Sequence, residues 1–259
     1  FKLRIGVAIG ATALAGLAIA PGDISVWRAV AIVLAVTLAS AAAGAFNQYV
    51  ERDLDRSMRR TRHRAFVTGR LAAGPFWPLV IGAVAASGVA LAWVATNGLA
   101  ALYTALGAFT YGVVYTVWLK RRTAWNIVIG GLAGSFAVLA GAAAVAPGAP
   151  DPTTLAFAVI LFLWTPPHFW SLAIAYRDDY AAARVPMLPV VAGDRAAARA
   201  VFSGAAMLVI ASVVPGFLGM SWFYAACALA GGMLLLVRAG QLALEPTRQR
   251  ALASFHASL

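Results

Sequence analysis

The sequence has 259 residues, of which 62% are hydrophobic and only 11% are charged, and its twenty Lys and Arg against nine Asp and Glu give a net charge of +11. Soluble domains carry about 25% charged residues, so this composition excludes an ordinary soluble protein. The single cysteine excludes an internal disulfide and a thiolate metal cluster.

Eight apolar stretches follow one another along the chain, most of them close to the ~20 residues that a helix needs to cross a bilayer. They predict membrane spans at 5–20, 27–48, 76–96, 99–118, 126–147, 153–175, 201–218 and 221–237. We therefore expect an all-α polytopic membrane protein that forms a single domain over residues 1–259, with both termini incomplete. The first stretch is not a cleavable signal peptide, since further spans follow it.

The basic residues are distributed unequally between the two sides of these spans. All Lys and Arg except Arg28 fall in the segments that share a side with the N terminus, namely Lys2, Arg4, and the loops 49–75, 120–122, 176–200 and 238–250. The positive-inside rule then predicts that the N terminus and these loops are cytoplasmic, in a cell inner membrane. Topology and lipid head groups account for most of this charge, so nucleic acid is not expected as a partner.

The end of the second span carries the most charge-dense segment, NQYVERDLDRSMRRTRHR, over residues 47–64. Asn47, Glu51 and Asp55 recur every four residues and so share one face of a helix, whereas Asp53 points away from it. Oxygen ligands without His or Cys favour Mg²⁺, which binds carboxylates together with substrate phosphates. The alternative is a solvated helix end whose acids pair with neighbouring arginines.

Two arginines that follow this face, Arg60 and Arg64, are candidates for diphosphate binding. A guanidinium offers a rigid fork of donors to phosphate oxygens. Positive-inside bias alone also predicts arginines in this loop, so the residue type does not decide between the two roles.

A second cluster lies in WTPPHFWSLAIAYRDDYAAARVPMLP, over residues 164–189. Asp178 and Asp179 follow the sixth span on the same predicted side as the first cluster, and two acidic sites can hold two metal ions that share one diphosphate. Lys120 and Arg121, at the end of the fourth span, are expected to reach the same cavity. Pro166 and Pro167 are expected to break or kink the sixth span.

His168 is the one histidine inside a predicted span. With Trp164, Phe169 and Trp170 around it, it suits a large flat apolar ligand, either as an axial ligand or as a base. The alternative is a histidine with a purely structural hydrogen bond. Cys227, in the last span, is expected to be a buried small side chain.

These motifs resemble the UbiA-type intramembrane prenyltransferases, and within them the haem O synthase (protohaem IX farnesyltransferase) branch. The resemblance covers nearly the whole chain and is faint at Phe255 and Ser258. It rests on Asn47-x3-Glu51-x3-Asp55 with Met58-x-Arg60-Thr61-x2-Arg64, and on YTVWLKRRT (115–123), NIVIGGLAG (126–134), LWTPPHFWSLAI (163–174), RDDY (177–180) and VPMLPVVAG (185–193).

The resemblance implies a bundle of nine transmembrane helices, eight of them visible here, with a cavity that faces the cytoplasm. It implies a reaction that attaches the farnesyl group of farnesyl diphosphate to a vinyl group of haem B, with water added. Further partners implied are membrane lipid and proteins of haem A synthesis or oxidase assembly. The implied site residues are Asn47, Glu51 and Asp55 for one Mg²⁺, Asp179 with Asp178 for a second, Arg60, Arg64, Lys120 and Arg121 for the diphosphate, and His168, Trp164 and Trp170 for the acceptor.

The chain also departs from the family pattern. Ala65 stands in place of Pro, Arg184 in place of Gly, Leu3 in place of Pro, and SFAVLAGAA (135–143) in place of a stretch with Pro-Pro and Gly-Trp in the fifth span, which we expect to line the acceptor cavity. A paralogue that prenylates an aromatic or quinone-precursor acceptor is therefore an alternative. A transporter would place its charges nearer mid-membrane, and a non-catalytic haem-binding or oxidase-assembly protein would not need the acidic face.

Overall fold

Helices form nearly all of the regular structure. The computed structural model describes residues 3–259; 79% of it is helical, and no strand occurs in this described part. Lys2, which the topology prediction uses, lies outside the described residues. Within this described part, seven helices are long and apolar enough to cross a membrane, so the chain is a multi-pass membrane protein.

Seven of the eight predicted spans match these helices, and the first corresponds to a shorter apolar helix of 17 residues, Leu3–Ile19. The largest boundary errors are at the last two spans, where the helices run over Asp194–Phe217 and Trp222–Leu244. Both helices continue past the apolar stretch into charged residues. Hydropathy marks the length inside a bilayer, not the end of the helix.

In chain order the helices are α1 (Leu3–Ile19), α2 (Val26–Val50), α3 (Arg52–Arg56), α4 (Ala65–Thr68), α5 (Phe76–Ala95), α6 (Gly98–Phe109), a π-helical segment (Thr110–Leu119), α7 (Asn126–Gly130), α8 (Leu132–Val145), α9 (Pro152–Ala175), α10 (Arg177–Ala182), α11 (Leu188–Ala192), α12 (Asp194–Phe217), α13 (Trp222–Leu244) and α14 (Arg248–Ala257). They form two compact units. Unit 1 comprises residues up to 118 and residues 132–158, and unit 2 comprises residues 119–131 and 159–259.

Small side chains form the core of unit 1, in which α2 packs against α1, α5, α6 and α8. Gly16 on α1 and Gly141 on α8 make reciprocal contacts. A Cβ on Gly16 would meet the carbonyl oxygen of Val138, and one on Gly141 would meet that of Ala13. Lipid supplies no hydrophobic drive between apolar helices, so close approach through small residues is what holds them together.

The start of α9 is fixed by Asp151. Its carboxylate accepts hydrogen bonds from the main-chain N–H of Thr153 at 2.9 Å and of Thr154 at 3.1 Å, and from the Thr154 hydroxyl at 2.6 Å. Burial opposes ionisation, but these hydrogen bonds outweigh it and lower the pKa of Asp151 below its usual value. The charged cap suits the helix N-terminus.

Pro166 and Pro167 do not break the sixth span, which was one of the two predicted outcomes, because α9 continues through both prolines to Ala175. Hydroxyl groups next to the prolines bond to the helix backbone: Thr165 Oγ1 donates to the Leu161 carbonyl at 3.0 Å, and Ser171 Oγ donates to the Pro167 carbonyl at 2.7 Å. Such side chains, together with neighbouring helices, let membrane helices tolerate proline.

In unit 2, α12 packs against α13, and α13 packs against α14. The expectation that Cys227 is buried is wrong, because its side chain is exposed on α13. Ile210 on α12 and Trp222 on α13 are likewise exposed, by 71% and 81%. Outward-facing apolar side chains have no cost in a bilayer, so hydrophobicity alone could not place this cysteine inside the protein.

Candidate active site

Asn47, Glu51 and Asp55 lie on one face, as their spacing predicts. Although α2 ends at Val50, the N–H of Glu51 donates to the Asn47 carbonyl at 3.0 Å and the N–H of Asp55 donates to the Glu51 carbonyl at 2.7 Å. These bonds continue the helical register across the junction with α3. The three side chains are only 2%, 1% and 1% exposed, whereas Asp53 is exposed. We call these three residues the acidic face.

The loop after α3 folds back and brings Arg64 to this face. Arg64 Nη1 donates to Asp55 Oδ2 at 2.6 Å, and the Asp55 side chain is 2% exposed against 18% for that of Arg64. Thr61 Oγ1 donates to the main-chain carbonyl of Asp55 at 3.2 Å, and buried Met58 anchors the turn. Arg60 is exposed on the same loop. The structure thus distinguishes the two arginines that the motif treats alike.

Thr116 belongs to this site, although the sequence does not mark it as a site residue. Asn47 Nδ2 donates to Thr116 Oγ1 at 3.1 Å, and Thr116 Oγ1 donates to the carbonyl of Tyr111, five residues back, at 2.8 Å. Thr116 is 2% exposed. The bond fixes the amide of Asn47 and turns its Oδ1 away from Thr116. A π-helical turn inside an α-helix is frequently found at a functional site.

The acidic face suits a hard divalent cation. Within residues 3–259 no group of three or more His, Cys, Asp and Glu side chains is arranged to hold a metal. The acidic face instead offers two carboxylates and one amide oxygen, the donor types that Mg²⁺ accepts alongside substrate phosphate and water. Two buried carboxylates need nearby positive charge, and Arg64 supplies one such charge, at Asp55.

Unit 2 carries the other predicted charged residues. On α10, Asp178 is exposed, Asp179 is half-buried, and neighbouring Tyr180 is buried. Near the end of the π-helical segment, the Lys120 side chain is only 8% exposed, whereas Arg121 is exposed. A lysine so deeply buried needs a specific environment for its charge, which sets it apart from the arginines of an ordinary solvated loop.

His168 lies in an aromatic and hydroxyl environment made by α9 and α14 within unit 2. Its Nδ1 is 2.7 Å from Ser258 Oγ, and its ring stacks on Trp164 at 4.3 Å and on Phe255 at 4.4 Å between centroids. Trp164 Nε1 also donates to the Ser258 carbonyl at 2.6 Å. In the sequence, Ser258 and Phe255 are only faint matches to the family pattern.

Trp170, the third predicted acceptor residue, does not join this group. It is two residues from His168 along α9, which puts its side chain about 200° away around the helix. The residue is 8% exposed, and its indole nitrogen is buried with no hydrogen-bond partner among the described residues.

Comparison with known proteins identifies one family over almost the whole chain. The UbiA prenyltransferase family matches residues 9–259. Protoheme IX farnesyltransferase 2 of Paramagnetospirillum magneticum is 54% identical over 260 residues, which cover 100% of this chain and 90% of that protein. The protoheme IX farnesyltransferase of Synechococcus elongatus is 41% identical, over 95% of this chain and 77% of that protein.

Solved structures share the fold. A UbiA homolog from Archaeoglobus fulgidus, determined with GPP and Mg²⁺ bound, has a TM-score of 0.79 at 18% identity and covers 99% of this chain and 96% of that one. The apo structure of a UbiA homolog from Aeropyrum pernix K1 has a TM-score of 0.77 at 18% identity, over 100% of this chain and 96% of that one. At this identity the likeness shows the fold alone.

Proposed function

The chain belongs to the UbiA prenyltransferase family, and we propose that it transfers the farnesyl group of farnesyl diphosphate to a vinyl group of haem B in a Mg²⁺-dependent reaction. The observation that carries the diphosphate half of this proposal is the acidic face, buried and paired through Asp55 with Arg64. The acceptor half is supported by relatives named as protoheme IX farnesyltransferases at up to 54% identity.

The acidic face is assigned to the first metal ion. Asn47, Glu51 and Asp55 would hold one Mg²⁺, and Asp179 with Asp178 would hold a second. Bound Mg²⁺ supplies positive charge to the leaving diphosphate. Thr116 keeps the Asn47 oxygen pointed away from its own hydroxyl, through the 3.1 Å bond to the amide nitrogen. The amide of Asn47 is therefore oriented before substrate binds.

The basic residues are assigned to the phosphate oxygens. Arg64 donates one N–H to Asp55, and a guanidinium has five N–H donors, so others remain for phosphate. Arg60, Lys120 and Arg121 would bind the same group. Cations placed where charge develops stabilise the transition state in which the allylic C–O bond breaks.

The acceptor step joins C1 of the farnesyl group to the terminal carbon of a haem vinyl group. Water adds to the other vinyl carbon and releases a proton, so haem B, farnesyl diphosphate and water give the hydroxyethylfarnesyl haem and diphosphate. His168 and Trp164 would contact the haem. Trp170 would contact the acceptor from the other side of α9. Apolar surroundings keep water from the farnesyl cation before the new bond forms.

The altered stretch of the fifth span has a packing role that does not need a different acceptor. Ser135 Oγ donates to the Ala158 carbonyl at 2.7 Å, and Gly141 makes the close contact with α1. SFAVLAGAA therefore contributes contacts to the helix packing of unit 1. We favour haem B over an aromatic acceptor because the relatives named as protoheme IX farnesyltransferases are up to 54% identical to this chain.

We also propose that the N terminus and the charged loops face the cytoplasm, in the inner membrane. The support is the distribution of Lys and Arg, all of which except Arg28 fall on that side. In a Cys227→Ala background, a membrane-impermeant maleimide should label an Arg62→Cys variant only from the cytoplasmic side and an Arg28→Cys variant only from the opposite side.

The function is tested with purified protein, farnesyl diphosphate, Mg²⁺ and haem B, followed by mass spectrometry. The expected product has the mass of haem B plus a farnesyl group and a hydroxyl group, and it should be absent when Mg²⁺ is chelated. Product from 4-hydroxybenzoate but none from haem B would favour the paralogue. No product with any acceptor would contradict prenyl transfer.

A further inference from the structure

The C-terminal helix α14 contacts α9 through polar groups at three levels. Trp164, His168 and Ser171 recur along one face of α9. Trp164 Nε1 donates to the Ser258 carbonyl at 2.6 Å, and His168 Nδ1 is hydrogen-bonded to the Ser258 hydroxyl at 2.7 Å. The Ser171 hydroxyl is hydrogen-bonded to the Ser254 hydroxyl at 3.1 Å. Apolar packing would suffice to seat a short helix, so this series of hydrogen bonds calls for another explanation.

The hydroxyl of Ser258 determines which nitrogen of His168 carries the proton. Ser258 Oγ donates its one proton to the Phe255 carbonyl at 2.6 Å. It can therefore only accept at the 2.7 Å contact with His168 Nδ1. Neutral His168 is consequently the Nδ1–H tautomer, and Nε2 carries the lone pair.

The two faces of the imidazole are covered by aromatic rings. Trp164 and Phe255 lie at 4.3 and 4.4 Å, nearly parallel to the ring, with interplanar angles of 21° and 29°. Two rings stacked this closely cannot share one face, so they cover opposite faces. Phe169 meets His168 edge-on at 5.1 Å. With Nδ1 bonded to Ser258, the polar atom left for a ligand is Nε2.

We propose that Ser258 and Phe255 are positioning residues for the acceptor, which hold His168 as the Nδ1–H tautomer so that Nε2 coordinates the iron of the porphyrin substrate. A neutral imidazole nitrogen is a common ligand of haem iron, and a hydrogen bond to the other ring nitrogen fixes its tautomer and orientation. This inference rests on the proposed function, because it assigns the haem acceptor to this part of unit 2. It extends the acceptor site from α9 to α14.

The competing explanation is that α14 is only anchored here. A matched pair of variants separates the two. Ser258→Ala removes the hydroxyl that meets His168 but keeps the main-chain carbonyl that binds Trp164, so the helix stays attached. Ser254→Ala removes the hydroxyl that meets Ser171 on the same two helices and does not touch His168. Ser258→Thr retains the hydroxyl.

Two readouts apply to all of these proteins in nanodiscs. ¹⁵N NMR of the histidine side chains reports the His168 tautomer without haem, and titration with haem B reports affinity and the Soret band. We expect wild type, Ser254→Ala and Ser258→Thr to show Nδ1–H and equal haem affinity. We expect Ser258→Ala to show mixed tautomers, a shifted Soret band and about tenfold weaker haem binding, the usual loss when a support for a metal ligand is removed.

A Ser258→Ala protein with the wild-type tautomer and Soret band overturns the inference. If that variant still makes farnesylated haem, the proposed function is unaffected. Equal losses in Ser258→Ala and Ser254→Ala assign the contacts to anchoring and also overturn it. A wild-type protein that prenylates another acceptor and does not bind haem B overturns the proposed function, and the assignment of Nε2 to iron with it.

Discussion

The amide nitrogen of Asn47 donates to the hydroxyl of Thr116 at 3.1 Å, which ties the end of α2 to the π-helical segment 69 residues later in the chain. Both residues are 2% exposed. In a π-helical turn the Thr116 hydroxyl bonds five residues back, to Tyr111, and this leaves its oxygen directed at Asn47. The orientation of a proposed Mg²⁺ ligand thus depends on a residue of another helix.

The first prediction concerns that bond. Thr116→Val keeps the shape of the side chain but removes the acceptor, so the amide of Asn47 can rotate. We expect the Mg²⁺ concentration for half-maximal activity to rise about tenfold, as is usual when a group that orients a metal ligand is lost. Mg²⁺ titration of product formation measures it. Thr116→Ser should behave as wild type, and an unchanged Mg²⁺ requirement in Thr116→Val would remove Thr116 from the site.

The second prediction separates Arg64 from its neighbours. Arg64→Ala leaves a buried carboxylate at Asp55 without its 2.6 Å ion pair, which should destabilise the protein by about 3 kcal/mol. It also removes a proposed diphosphate donor, for a loss in kcat/KM of about a hundredfold. Thermal unfolding and steady-state kinetics measure the two effects.

Arg62→Ala is the control for this prediction, since Arg62 is exposed on the same loop and is expected to serve topology alone. Arg62→Ala should change neither the thermal stability nor kcat/KM. If Arg62→Ala and Arg64→Ala lose activity equally, the general charge of the loop matters and the pair with Asp55 does not.

The third prediction tests the close packing of α1 on α8. A methyl group on Gly141 would collide with the Ala13 carbonyl, whereas a Cβ on Gly82 would meet nothing within 4 Å. Gly141→Ala should therefore lower the unfolding temperature, because backbone atoms cannot move aside. Gly82→Ala should raise stability by about 1 kcal/mol through helix propensity. Unchanged stability in Gly141→Ala would show that α1 is not held through this contact.

The fourth prediction concerns Arg184, which stands where the family usually has Gly. Its φ of 53° puts it in the left-handed region, and a side chain there costs about 1–2 kcal/mol. Its main-chain N–H bonds to the Ala181 carbonyl at 3.0 Å, so the turn after α10 requires this conformation.

Arg184→Gly should therefore stabilise the protein by about 1 kcal/mol. Arg199→Gly, which removes the same side chain from an exposed position within α12, should destabilise it by about 1 kcal/mol. Thermal unfolding of both variants measures the difference. A loss of stability in Arg184→Gly would assign the arginine a contact worth more than its backbone strain.

The fold was largely predictable from the sequence because length and hydropathy report directly on membrane crossing. The acidic face was predictable for a similar reason, since four-residue spacing places Asn47, Glu51 and Asp55 together even where α2 gives way to α3. These features depend on residues close together in the chain.

What the sequence could not supply depends on distant contacts. Nothing in the local pattern links Thr116 to Asn47, or Ser258 to His168 ninety residues earlier. Proline chemistry predicts a break or a kink in α9, but the helix is continuous, and the hydroxyl groups of Thr165 and Ser171 bond to its backbone. The sequence wrongly predicts that Cys227 is buried in the protein, because hydropathy does not distinguish a lipid-facing position from a buried one.

If the acidic face binds the metal that activates the prenyl diphosphate, two aspartates only two residues apart should differ in their effect on the reaction. Asp55 is buried on the acidic face and Asp53 is exposed away from it. In the mass-spectrometric assay with farnesyl diphosphate, Mg²⁺ and haem B, we predict that Asp55→Ala makes no farnesylated haem although it inserts and folds, and that Asp53→Ala makes as much as wild type. Full product formation by a folded Asp55→Ala protein would show that the acidic face does not bind the catalytic metal.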